Sequence, residues 1–173
     1  MPQSARAHEA LLGAYFARRD FAAAFAEGDT ALSLNPFDPG IRIVYGIRLI
    51  AVGQYDGGMA MLKEASSYGV QRPIWVNSYL FLGAYLKRDL ATASRYANET
   101  ASDEYPLSLF LRALLATGNG DQAQAKQMME RLNLLYPKWR NNPRNELEKF
   151  IPSTEIVDRL THDLAAAGLG ATN

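Results

Sequence analysis

Few side chains in this chain of 173 residues could carry out covalent or metal chemistry. There is no cysteine, which removes thiol nucleophiles, disulfides, iron–sulfur clusters and Cys-ligated zinc together. The two histidines, His8 and His162, stand at opposite ends of the chain. A metal centre needs three or four convergent ligands, so both read as helix-surface residues, and no metal or cofactor is expected. His162-Asp163 with a distant serine would be the parts of a hydrolytic triad. Adjacent helical residues point about 100° apart, however, and do not form that relay. Gly118-Asn119-Gly120 has the glycine density of a phosphate loop, but no Lys-Ser/Thr follows it and no strand precedes it. It reads as a turn. Asp103-Glu104 lies close to Pro106 and reads as a solvated linker, not an acid–base pair. No catalytic residue is assigned, and the chain is not expected to be an enzyme.

Binding chemistry is similarly sparse. Eighteen Lys and Arg cancel eighteen Asp and Glu, which argues against bulk affinity for nucleic acid or an anionic membrane. One basic cluster, Lys138, Trp139, Arg140, Arg144 and Lys149, includes an aromatic that could stack on a base. Glu146 and Glu148 interrupt it, and Trp139 is expected to pack beneath the end of the fold, so no nucleic-acid partner is expected. The longest uncharged apolar stretch, Pro73 to Leu86, contains Asn77 and Ser78 and falls short of the ~20 residues that span a bilayer. Glu9 and the charged break Arg18-Arg19-Asp20 do not resemble an export signal. A cytoplasmic location is the default expectation. With 48% hydrophobic and 21% charged residues, the composition is that of an ordered globular chain.

The elements that position these residues come from an internal repeat. Phe21 recurs as Tyr55, Ala24 as Gly58 and Ala31 as Ala65, each after the same interval. The run Leu12-Gly13-Ala14-Tyr15 returns as Leu82-Gly83-Ala84-Tyr85, with one residue fewer before the following aspartate. A fourth copy runs from Gly120-Asp121 through Ala125 and Leu132 to Pro137. Each copy reads as two helices around a tight turn: bulky residues on the first helix, small ones at spacings of three and four on the second. Small residues such as Ala24, Gly28 and Gly58 let helix axes approach closely. The turns are marked by Arg19-Asp20, Gly53-Gln54, Arg88-Asp89 and Gly118-Asn119-Gly120-Asp121, where Gly accepts positive φ and Asp can cap the next helix. Pro36, Pro39, Pro73, Pro106 and Pro137 fall between copies, where a helix must stop. No segment alternates with period two, so the fold is predicted to be all-α.

These residues resemble the tetratricopeptide repeat family, whose helix–turn–helix unit prefers W-x2-L-G-x2-Y and then A, F, A and P. Copy one supplies Leu11-Leu12-x2-Tyr15, Ala24, Gly28, Ala31 and Pro36; copy two supplies Tyr45-Gly46-x2-Leu49, Gly58, Leu62 and Ala65. Copy three supplies Phe81-Leu82-x2-Tyr85, Ala93 and Ala97; copy four supplies Ala113, Ala125, Met129, Leu132 and Pro137. No copy has the first-helix Trp, and copies three and four drift in linker length. The resemblance implies a right-handed α-solenoid (α-α superhelix) of four repeats over residues 1–139, at about 5–38, 39–72, 73–105 and 106–139.

Residues 140–173 form a C-terminal helical cap in this reading. Asn142-Pro143 is a good helix start, with Leu147, Phe150 and Ile151 as its apolar stripe. Ser153 can cap a last helix that carries Ile156, Val157, Leu160 and Leu164 on one side and Glu155, Asp158, Arg159, His162 and Asp163 on the other, ending at Gly168. Such a helix closes the exposed apolar end of a solenoid. The tail also resembles the ends of repeat regions in bacterial nucleotide cyclases and winged-helix transcription activators, which implies a signalling context.

On the second copy's first helix, Ile43, Ile47 and Ile50 share one face while Tyr45, Leu49 and Val52 share the opposite one. Two opposite apolar stripes demand a second cover. By the family's register, Phe16, Ile43, Ile47, Ile50, Tyr79, Leu86, Phe110 and Leu114 face the concave groove, with Tyr79, Phe110 and Ile47 as hot spots. Chaperone-binding members clamp a terminal carboxylate with Lys and Asn on these helices; the corresponding positions here carry Glu9, Gly13, Val44, Val76 and Leu80, so that clamp is absent. The expected occupant is the chain's own C-terminal helix, a second copy in a homodimer, or an amphipathic helix or peptide from a protein partner. The expected function is a non-catalytic interaction, scaffold or regulatory module. The alternative is a ligand-sensing domain that takes a small apolar molecule.

Overall fold

In a computed structural model that describes residues 4–68, 73–102 and 104–169, eleven α-helices and one short 3-10 turn follow one another, and no strand occurs among the described residues. The all-α expectation therefore holds. The helices are α1 (Ala5–Ala17), α2 (Phe21–Leu34), α3 (Pro39–Ala51), α4 (Tyr55–Ala65), α5 (Val76–Leu86), α6 (Leu90–Glu99), α7 (Pro106–Gly118), α8 (Gln122–Leu135), α9 (Pro137–Asn141), α10 (Pro143–Glu148) and α11 (Thr154–Ala165). Pro39, Pro106, Pro137 and Pro143 each open a helix, where the missing N–H costs nothing and the fixed φ suits the first turn. The described residues divide into two compact units, one of residues 4–50, 54–68 and 73–76, the other of 51–53, 77–102 and 104–169.

Four hairpins, α1–α2, α3–α4, α5–α6 and α7–α8, reverse through one and the same turn. The residue before the last turn position is left-handed each time: Arg19 (φ 62°), Gly53 (96°), Arg88 (66°) and Gly120 (78°). The next amide then donates back to a carbonyl five residues earlier: Asp20 to Tyr15, Gln54 to Leu49, Asp89 to Ala84 and Asp121 to Ala116, at 2.9–3.0 Å. This is the bond that satisfies an orphan carbonyl at a helix end. The following residue caps the second helix. Asp20, Asp89 and Asp121 accept from the amides of Ala23, Thr92 and Gln124 at 3.2, 3.1 and 2.9 Å, while Gln54 makes no side-chain cap bond.

Within the first unit, the small residues let backbones approach as their spacing requires. A Cβ on Gly28 would lie 2.8 Å from the Tyr45 ring, and one on Gly58 would lie 2.6 Å from the Gly46 carbonyl oxygen. Tyr45 is thus seated over α2, where its hydroxyl donates to Asp29 Oδ1 at 2.9 Å. At the second inter-helix joint Asp38 accepts from the amides of Gly40 (2.8 Å) and Ile41 (3.2 Å), capping α3.

Within the second unit, buried Ser108 ties the end of α6 to α7. Its hydroxyl donates to the Thr100 carbonyl (2.8 Å) and accepts from the Ser102 amide (3.0 Å). Three helices follow α8, since Pro137 starts a short helix α9, which carries Trp139 into the core against Phe110 at 5.3 Å. Asn142 caps α10 and Ser153 caps α11, as their sequence contexts predict. Leu147 and Ile151 are buried, but Phe150 is 42% exposed and does not share their stripe. Gly168 (φ 94°) ends the tail's turn, with the Leu169 amide donating to the Leu164 carbonyl at 3.2 Å.

At Gly120 an added Cβ would meet nothing within 4 Å, so Gly120→Ala isolates the backbone term. It should lower unfolding free energy by about 1 kcal/mol, the cost of forcing a non-glycine residue left-handed, as read by urea titration. An unchanged midpoint would show that the turn does not depend on positive φ at this position.

Candidate functional site

The shared turn gives a ruler for the first helices. Four residues before the last turn position stand Phe16, Ile50, Tyr85 and Thr117; seven before it stand Gly13, Ile47, Leu82 and Leu114; eleven before it stand Glu9, Ile43, Ser78 and Phe110. These spacings lie on one face of a helix. Six of the eight groove residues named from the sequence fall on this ladder. Tyr79 and Leu86 fall one position beyond it, because the third copy has one residue fewer between its Leu-Gly-Ala-Tyr motif and Asp89 than the first has before Asp20. Counting forward from the Leu-Gly-Ala-Tyr motif misses Ser78, Leu82 and Tyr85; counting backward from Asp89 finds them.

In the second unit this face is covered by α11. Its four apolar residues, Ile156, Val157, Leu160 and Leu164, are buried, and α11 packs on α7. Two polar contacts fix its position against α5. The Tyr85 hydroxyl donates to Asp163 Oδ2 at 2.9 Å, and Arg159 Nη1 donates to the Leu86 carbonyl at 2.9 Å. Leu86 is the last residue of α5, so its carbonyl is one of the orphans at a helix C-terminus, where a cation is also favoured by the dipole. Burying four such side chains is worth about 6–12 kcal/mol gross, before the entropy of ordering the segment is subtracted. Phe110 and Leu114 have no exposed surface, and Leu86 is buried as well. In the free chain these three are core, and alanine at Phe110 removes packing against Trp139. Tyr79 is half-buried.

In the first unit the ladder is more open. Phe16, Ile43 and Ile47 are half-buried, whereas Ile50 is 1% exposed. Phe16 is held by the Phe21 ring at 5.3 Å, and the Arg48 guanidinium stacks over it at 5.4 Å. Arg48 also approaches the space beside Gly13, where an added Cβ would come within 3.3 Å of Nη2.

The other candidate chemistry is absorbed locally. His8 Nδ1 lies 2.5 Å from Glu27 Oε2, and His162 is exposed on α11. Among the described residues no group of three or more His, Cys, Asp or Glu could hold a metal ion, and no helix is long and apolar enough to cross a membrane. Asp163 is engaged by Tyr85 and not by its neighbour His162. In the basic cluster, Arg144 pairs with Glu148 (3.0 Å) and Asp158 (2.5 Å), Lys149 pairs with Glu146 (2.5 Å), and Trp139 is 3% exposed. Asp103 lies outside the described residues, and Glu104 is exposed. An open depression of about 450 Å³ between α8 and the end of the tail is lined by Lys126, Glu130, Asn133 and Arg140 among others.

Burial, then a hydrogen bond to a carboxylate, pushes both Tyr45 (with Asp29) and Tyr85 (with Asp163) above the usual phenol range. A raised pKa means that the folded state holds the proton longer than the unfolded one. The stability from each neutral phenol is therefore complete below pH ~10 and is lost as the pH rises toward the raised values. Unfolding free energies from urea titration should fall above pH 10 by up to about 1.4 kcal/mol per pH unit per tyrosine. Tyr45→Phe and Tyr85→Phe should each flatten that slope; identical slopes in wild type and both variants would contradict the assignment.

Comparison of the chain with family models, with curated proteins and with solved structures yields no match.

Proposed function

We propose that the chain is a non-catalytic protein-interaction module of four tetratricopeptide-like hairpins, which receives an amphipathic helix or peptide on the apolar ladder of its first helices. The observation that supports this reading is α11 itself: a one-sided amphipathic helix laid on the first helices of the second unit and fixed by side-chain contacts specific to Asp163 and Arg159. The equivalent ladder in the first unit offers Phe16, Ile43 and Ile47 with part of their surface in solvent. Side chains of this type dominate the energy of interfaces when a partner covers them. The module would work in the cytoplasm as part of a signalling assembly.

The reading is tested by selecting a displayed library of amphipathic helical peptides against the immobilised full chain. Selected peptides should carry aliphatic residues at helical spacing. Their affinity should fall at least about tenfold with Ile47→Asp or Phe16→Ala while the melting transition persists. Phe110→Ala serves as the contrasting control, since loss of a buried ring lowers stability by about 3–5 kcal/mol. No enrichment, or binding indifferent to Ile47 and Phe16, would contradict the proposal.

A further inference from the structure

We infer that the α5/α7 face is a recognition site whose occupant in the free chain is a displaceable internal ligand, α11. Its proper partner is a helix that reproduces α11's pattern: aliphatics at i, i+1, i+4 and i+8, a cation at i+3 and a carboxylate at i+7. This rests on the interaction-module reading and deepens it by naming the partner's chemistry.

The inference follows from how α11 is attached. Its aliphatic residues 156, 157, 160 and 164 are buried, whereas Glu155, Asp158, His162 and Ala165 on its other side are exposed. A core helix is enclosed on most sides; this one is held by a single stripe. The two contacts beside the stripe read residue type and not merely apolarity. The Tyr85 hydroxyl needs an acceptor at i+7, and the orphan Leu86 carbonyl needs a donor at i+3. Both features of the face remain when α11 leaves, since Tyr85 and Leu86 belong to a hairpin closed by its own turn bonds. α11 also packs on α10, to which it is joined by a short non-helical stretch, residues 149–153, and the Arg144–Asp158 pair between them has side chains 44% and 59% exposed. Exposed pairs of that kind add little stability. Helix-in-groove exchange draws on this combination: a strong but one-sided stripe and specific polar markers beside it.

The test uses the full chain and a labelled synthetic peptide of residues 153–169. Leu160→Asp in the chain weakens its own α11 and leaves the face intact. The peptide should bind that variant at least tenfold more tightly than wild type. Arg159→Ala or Asp163→Ala in the peptide, or Tyr85→Phe added to the chain, should cost roughly three- to tenfold in affinity. Equal binding to wild type and variant, or affinity indifferent to those groups, overturns the inference. So does a Leu160→Asp chain that loses its helical circular dichroism, because α11 would then be integral to the fold. A second measurement needs no variant: native-state hydrogen exchange on wild type should show the α11 amides opening at least tenfold more often than those of α7. A common opening rate overturns the inference, and so does a concentration-dependent dimer in which α11 is exchanged between copies. These failures are separable from failure of the module reading, which is judged on Ile47 and Phe16. Success there with failure here leaves a binding module with a fixed cap.

Discussion

Each hairpin turns the chain through three residues, and only a left-handed residue in the middle allows the next amide to bond five residues back. Everything built on the first helices depends on that constraint. The bond fixes where the first helix stops, and hence the rotational phase of every residue counted back from it. With the phase fixed, Phe16, Ile50, Tyr85 and Thr117 occupy equivalent places although no two of them are the same residue type. Glycine meets the constraint freely at 53 and 120. Arginine meets it at 19 and 88 at some cost in backbone strain, with Asp20 and Asp89 capping the next helix in compensation.

The second unit converts that phase into a docked helix. Tyr85, four residues before its turn position, is the side chain that reaches Asp163, and Leu86, the end of the same helix, offers its unpaired carbonyl to Arg159. The apolar stripe of α11 supplies most of the attraction, and the two polar contacts choose its register. A one-residue slide would keep some of the burial but strand both groups, at the usual penalty for an unpaired buried donor or acceptor. Local packing also engages part of the basic cluster: Trp139 packs on Phe110, and Arg144 and Lys149 pair with carboxylates of their own tail.

How much of this is legible in the sequence depends on whether a feature is periodic. The hairpins, the small residues at Gly28 and Gly58, the capping aspartates and the starts of α10 and α11 follow from local chemistry that recurs, and the residues that form them announce it. The left-handed Arg19 and Arg88 would not be suspected singly, since arginine has no preference for that region. The interval to Gly53 and Gly120 exposes them. The register of the third copy is hidden by the one residue missing between its motif and Asp89, so the motif read forward points to Tyr79 and Leu86 where the turn, read backward, points to Ser78, Leu82 and Tyr85. Phe110 is buried against Trp139 of α9, outside the four hairpins, and no period connects the two. Short helix α9 was likewise invisible, since Pro137 signals a stop and a start equally well.

The central claim is that the turn-set phase brings Tyr85 and the C-terminal helix into specific contact. The most direct measurement is a double-mutant cycle in the full chain with Tyr85→Phe and Asp163→Asn, read as unfolding free energies in urea at neutral pH. A real contact to a charged acceptor predicts a coupling of about 1–2 kcal/mol between the two substitutions. Additive effects, within about 0.5 kcal/mol, would mean that α11 does not meet α5 through these groups, and the account of the face would fail.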